Sequence, residues 1–182
     1  MGAKITDLGL GVKLIEPDHF HDYRGYYCET YSSRTLASLG INDVFVQDNE
    51  AYSKKAGTVR GLHFQNLPKA QTKLLRCVKG KIIDYAVDLR KDSPTYMQSV
   101  SLIMEAGDGK QIYIPKGFGH LCISLVDDTI INYKVDALYD PALDRAIRYN
   151  DPDIGLDLPE LELIVSAKDN AAPFLKDSDV NF

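Results

Sequence analysis

Four histidines stand in this sequence, His19, His21, His63 and His120. His63 lies inside TVRGLHFQ, an otherwise strand-like run in which histidine is not a favoured filler. His120 follows the turn-rich PKGFGH. An imidazole changes charge near neutral pH and can therefore take or give a proton. A lone strand histidine serves equally as a satisfied core or surface residue, so the neighbouring runs must decide. Arg60, Gln65, Gln71, Lys73 and Arg76 interrupt otherwise apolar segments nearby. Strand alternation puts Lys73 on the same side as Leu75 and Cys77. If that side is the inside of a barrel, an ammonium group there is costly unless it is paired or faces an anionic ligand. This company raises the case for catalysis at His63.

The same alternation raises a difficulty. Arg60 and His63 are three apart, and a regular strand points such residues to opposite faces. Both reach one cavity only if Gly61 marks a bulge or bend, a common use of glycine in strands. Metal binding is the rival use of the histidines. A barrel metal site of the usual pattern needs two histidines two apart, then a carboxylate and a third histidine. GLHFQ offers one, with Gln65 in the second place, and His19 and His21 lie near the chain start. Three or four good ligands are hard to assemble from this set, so no metal is expected.

The elements that must position these residues read mainly as strands. RGYYCETYS, FVQDNEAYS, TVRGLHFQ, KLLRCVKG, KIIDYAVDLR, MQSVSLIM, KQIYIP, HLCISLV and TIINYKV are short, rich in Val, Ile, Tyr and Phe, and separated by turn signals. Lys79-Gly80 between two of them reads as a tight hairpin turn. So many short strands predict a sandwich or barrel rather than a parallel sheet with crossover helices. Helical signals are few. Ser33 could cap a short helix through Leu39 closed by Gly40, Asp140-Pro141 looks like a cap and first helical position, and Ser166 could cap a last short helix before Pro173.

With 182 residues and no linker or repeat, one domain over 1–182 is expected. No run of about 18 apolar residues spans a membrane, and the start lacks the build of a signal peptide. A formal net charge of −5 argues against nucleic acid as the main partner, although a local basic cluster could still meet a phosphorylated substrate. Cys28, Cys77 and Cys122 lie far apart with no CxxC pair, which suits free thiols in the cytoplasm.

FHDYRGYYCETY, FVQDNEAYS, VRGLHFQ, AQTKLLR, DYAVDLRKDSPTY, QIYIPKGFGH, YKVDALYDP, YNDPDIGLDLP and SAKDNAAPFL occur in this order. Together they resemble the dTDP-4-dehydrorhamnose 3,5-epimerase family over nearly the whole chain. The resemblance implies a mainly β, cupin-like jelly-roll barrel with a few short peripheral helices. It implies a cofactor-independent isomerase acting on a nucleotide-linked 4-keto sugar, in a homodimer with an exchanged N-terminal segment. The product would be a deoxysugar such as L-rhamnose for surface glycans.

Roles follow from the resemblance position by position. His63 is the base that removes a hydrogen beside the ketone, with Asp169 as its carboxylate partner. Lys73 faces the developing enolate oxygen, and Tyr133 delivers a proton from the other side. Arg24, Glu29, Gln47, Asn49, Arg60 and His120 match positions that contact the nucleotide or sugar, with Arg24 and Glu29 reaching across the dimer. Phe20 and Tyr139 match aromatic positions near the base. Plainer readings stand beside these: Asp169 early in a short helix, Tyr133 as a buried strand tyrosine, Arg24 and Glu29 as exposed strand charges. The family's usual GFAHGF appears here as GFGHLC, which changes Gly119, Leu121 and Cys122 beside His120. Tyr113 stands where a Trp is common. These departures bear on sugar and base specificity. The nearest rival is an epimerase that inverts a single carbon; a metal-dependent cupin enzyme and a non-catalytic sugar-binding module are further alternatives.

Overall fold

The structure is a computed structural model that describes residues 2–182. Two hairpins open the chain: β1 (Ala3–Gly9) with β2 (Val12–Pro17), then the small pair β3 (His19–Asp22) and β4 (Gly25–Cys28). Two larger sheets follow. The first runs in the order β1-β2-β10-β7-β12-β5, using β5 (Gln47–Ser53), β7 (Lys73–Lys79), β10 (Gln111–Ile114) and β12 (Thr129–Val135). The second runs β13-β6-β11-β8-β9, with β6 (Thr58–Gln65), β8 (Lys81–Asp88), β9 (Ser99–Glu105), β11 (Phe118–Ser124) and β13 (Asp144–Ala146). A last short strand, β14 (Ile164–Val165), lies parallel to β6. The expected cupin-like jelly roll is therefore present as two facing sheets.

Alternation along the strands explains how the sheets stack. Leu75 and Cys77 of β7, Ile82 and Ala86 of β8, Phe118 and Cys122 of β11 and Ile131 of β12 all point between the sheets and form one buried cluster. The intervening residues face outward. Tyr85, Val87, Leu121 and Ile123 pack under the C-terminal segment with Ile147 and Leu175. Leu74 packs under α1 (Ser33–Ser38) with Leu36 and Ile41. Each large side chain fully buried in these layers stabilises the fold by about 1.5–3 kcal/mol. The inner faces therefore carry both the core and any polar side chain that shares its parity.

Several expectations need adjusting. Asp140-Pro141 starts a turn rather than a helix: the N–H groups of Leu143 and Asp144 both donate to the Asp140 carbonyl, and the chain passes directly into β13. Ser32, not Ser33, caps α1, accepting from the Thr35 N–H. RGYYCETYS contributes only β4, and FVQDNEAYS becomes strand at Gln47. Lys79-Gly80 does turn β7 into β8, with Gly80 at φ +80°. Ser166 does cap α2 (Ala167–Asn170) through the Asp169 N–H. No helix among the described residues is long and apolar enough to cross a membrane.

Candidate active site

Gly61 resolves the parity difficulty between Arg60 and His63. The ladder of β11 with β6 passes from His120 opposite His63 to Cys122 opposite Arg60, so Gly61 and Leu62 together face the single residue Leu121. This bulge carries Gly61 at φ +131°, in the region that only glycine enters without strain. A Cβ at Gly61 would lie 2.7 Å from the Leu121 Cα. Arg60 and His63 consequently share one pocket of about 380 Å³ with Asp169 and Lys168.

His63 and Asp169 meet across 106 positions of sequence, with His63 Nε2 2.6 Å from Asp169 Oδ1. An ionised carboxylate only accepts, so Nε2 donates, and in the neutral ring Nδ1 is then the nitrogen with the free lone pair. The helix start sets the carboxylate in place, because the Ser166 hydroxyl accepts from the Asp169 N–H at 3.0 Å. Burial pushes the Asp169 carboxyl up, but His63, Ser166 and the Gly61 backbone outweigh it and leave its pKa below the usual carboxylate value. The His63 side chain is 35% exposed against 5% for Asp169, so the ring opens to the pocket while its partner is covered.

The facing sheet supplies the other groups. Lys73 is buried among the core side chains and donates to Gln71 Oε1 at 3.1 Å. Burial pushes its pKa down to about 8, against the pull of Asp144, Asp136 and Asp84. Its Nζ lies 5.7 Å from the centre of the Tyr133 ring. Tyr133 packs against the inner core, and burial raises its hydroxyl pKa. Asn49 and Gln47 of β5 pair with Tyr133 and Val135 of β12 and so share the inward face. Gln47 donates to Asn49 Oδ1 at 2.7 Å and accepts from the Tyr139 N–H at 3.0 Å. The Arg60 guanidinium crosses toward β5, donating to Ser53 Oγ at 3.1 Å and to the Tyr52 carbonyl at 2.6 Å.

His120 is buried beside His63 and bonds Asp84 Oδ2 through Nε2 at 2.8 Å. Asp84 was missed as a site residue by sequence reasoning. Its only signal is an acidic residue at an inward position of KIIDYAVD, between Ile82 and Ala86. Asp144, which accepts from Lys168 at 2.6 Å and from the Tyr139 hydroxyl at 3.5 Å, was missed as well.

Not every expected residue joins this cluster within one chain. Arg24 pairs with Asp22 at 2.6 Å on the tip of the β3–β4 hairpin, where it lines a separate groove with Phe20, Tyr26 and Tyr27. Glu29 accepts from the Thr35 hydroxyl at 2.7 Å beside α1. Phe20 and Tyr139 are largely exposed. Among the described residues, no three His, Cys, Asp or Glu side chains converge on a point where they could hold a metal ion.

The site thus combines an open imidazole on one sheet, backed by a carboxylate from α2, with a buried amine and a partly buried phenol on the facing sheet, parts suited to moving a proton across a substrate held between them. Comparison with known proteins gives this arrangement its context. Residues 8–177 match the family model described as dTDP-4-dehydrorhamnose 3,5-epimerase. A protein of that name from Sinorhizobium fredii is 43% identical over 172 residues, covering 94% of this chain and 88% of the relative. A crystal structure of dTDP-4-dehydrorhamnose 3,5-epimerase from Bacillus anthracis, with TDP and PPi bound, superposes with a TM-score of 0.93 at 44% identity over 95% of this chain and 99% of that one. The dTDP-6-deoxy-D-glucose-3,5-epimerase of Legionella pneumophila, in complex with dTDP-4-keto-L-rhamnose, superposes with a TM-score of 0.93 at 36% identity over 97% of this chain and 95% of that one.

Proposed function

Because the chain belongs to the dTDP-4-dehydrorhamnose 3,5-epimerase family, and is therefore a sugar-nucleotide epimerase, we propose that His63, Asp169, Lys73 and Tyr133 carry its reaction. The substrate is dTDP-4-keto-6-deoxy-D-glucose, inverted at C3″ and C5″ to dTDP-4-keto-L-rhamnose. The observation that carries this reading is that His63 and Tyr133 stand on the two facing sheets, β6 and β12. A sugar lying between them meets a base on one side and an acid on the other.

The ketone acidifies the hydrogens on both neighbouring carbons. His63 Nδ1 takes one of these protons, and the imidazolium so formed is stabilised by the Asp169 carboxylate. The electron pair moves onto the ketone oxygen, giving an enolate. Lys73, protonated below about pH 8, stabilises that oxygen. Such a preorganised donor is worth about 2.7–4 kcal/mol in the transition state. Tyr133 then protonates carbon from the opposite face and inverts the centre. Exchange with water returns a proton to the tyrosinate and removes one from the imidazolium. The enolate oxygen is common to both carbons, so one Lys73 and one base serve both inversions if the ring presents each carbon in turn.

Arg60, His120, Gln47 and Asn49 bind the sugar and diphosphate in this reading, with Phe20 and Tyr139 near the base. Arg24 and Glu29 act in the site of a second copy of the chain. Their place on or beside the projecting hairpin, away from the pocket of His63, supports a homodimer whose N-terminal segments are exchanged. Three unpaired cysteines fit action in the cytoplasm. Incubation with a panel of nucleotide-linked 4-keto sugars, with products read by NMR, tests the reading. Turnover of the dTDP-4-keto-6-deoxyglucose substrate to the L-rhamno product is expected, and turnover only of other sugars would overturn it.

A further inference from the structure

Asp84 has no task in the mechanism above, yet it is among the most enclosed charged groups in the molecule. It lies midway along β8, at a position facing between the sheets, and its side chain is completely buried. Its Oδ2 bonds His120 at 2.8 Å, while its Oδ1 is buried with no hydrogen-bond partner. A carboxylate with a bare oxygen in such a place is costly unless positive charge compensates it. Burial raises its pKa, and the charges that oppose this come from His120 on β11 and Lys73 on β7.

The relation with Lys73 runs both ways. Burial works against the Lys73 ammonium, and the carboxylates that favour it are Asp144 on β13, Asp136 at the end of β12 and Asp84 on β8. Tyr133 of β12 lies against the same amine, and Arg60 of β6 influences both Tyr133 and Cys122. Cys122 stands directly opposite Asp84 in the β11–β8 ladder, and His120 stands directly opposite His63 in the β11–β6 ladder. Asp84 thus touches one ring that neighbours the base and balances one cation on the opposing sheet.

We propose that Asp84 is a positioning residue for the epimerisation: it fixes the His120 ring beside His63 and supplies buried negative charge that keeps Lys73 an ammonium ion at the enolate oxygen. The inference rests on the roles given above to Lys73 and His120. Asp84 accepts from His120 Nε2, so that nitrogen carries a proton and the ring is held in one orientation. Removing only the charge of Asp84 keeps the shape of the site but weakens the hold on the Lys73 proton.

Asp84→Asn makes that change with almost no change in volume. The ¹³C resonance of the Lys73 Cε, assigned with Lys73→Gln, is expected to titrate at lower pH in Asp84→Asn than in the wild type. The alkaline limb of kcat/KM should move down in parallel, costing about tenfold in rate above both midpoints for each pH unit moved. Coincident Lys73 titrations in the two proteins would overturn the proposal. Should Asp84→Asn fail to fold, ¹⁵N NMR of the unaltered protein remains decisive: His120 Nε2 should carry a proton in its bond to Asp84, and a ring protonated on Nδ1 alone would overturn the proposal. Both NMR readouts need no substrate, so they succeed or fail independently of which sugar the enzyme inverts.

Discussion

His63 and His120 face each other across the β6–β11 ladder, and each ring holds a carboxylate through Nε2, Asp169 at 2.6 Å and Asp84 at 2.8 Å. The two dyads differ in access. The His63 side chain is 35% exposed, whereas that of His120 is 10% exposed and Asp84 is sealed. A base must reach a substrate hydrogen, so the open ring suits abstraction and the closed one suits positioning. The same two ingredients thus serve different ends through burial alone.

His63 and Asp169 are expected to behave as one unit, because each loses its value without the other. His63→Ala should lower kcat by about 10²–10⁴-fold. The double variant His63→Ala with Asp169→Ala should be only slightly slower than His63→Ala. Steady-state kinetics of the three variants check this, and losses that multiply would refute the pairing.

The rate should decline in alkali. In the proposed mechanism Lys73 acts as the ammonium form, and burial brings its pKa to about 8. Protonation is complete below that value and is lost as pH rises through it, so the alkaline limb of kcat should fall about tenfold per unit above pH 8. Lys73→Gln should abolish that limb and reduce kcat by about 10²–10³-fold. A wild-type rate flat to pH 10 would argue against an ammonium at the enolate.

Gly61→Ala should damage both fold and site. At φ +131° any side chain is strained, and the new Cβ meets the backbone of β11. Destabilisation of about 1–3 kcal/mol is expected from the backbone conformation alone. Urea unfolding measures it, and activity should fall as well, since Arg60 and His63 share a pocket only through this bulge. Wild-type stability would contradict the role assigned to Gly61.

Mixing Arg24→Ala with His63→Ala protomers should recover activity, because a hybrid dimer with exchanged segments carries one intact composite site. No recovery after confirmed subunit exchange would count against donation of Arg24 across the dimer.

Much of the fold was legible because inner-face parity is simple along KLLRCVKG and KIIDYAVDLR, where Lys73, Leu75 and Cys77 share a side as alternation requires. The first hairpin escaped notice: AKITDLG alternates only weakly and is partly exposed, so its strand character comes from pairing with β2. Asp140 does accept from the Ala142 N–H at 3.0 Å as a cap would, but pairing of β13 with β6 draws the chain out of a helix. Asp84 was hidden for a different reason. A carboxylate is seldom buried, and the partner that makes it tolerable is 36 residues away. Asp169 was reached only through the family resemblance, since nothing local in SAKD points to a histidine 106 residues earlier.

The central claim is inversion at two carbons by a base and an acid on opposite walls, and turnover in D₂O tests it most directly. The product of the wild-type enzyme should carry solvent deuterium at both C3″ and C5″ with both centres inverted, read by NMR and mass spectrometry. In Tyr133→Phe, His63 can still remove a proton and return one to the same face, so deuterium should enter with little inversion. Deuterium confined to one carbon in the wild type at long times, or unchanged inversion in Tyr133→Phe, would contradict the account.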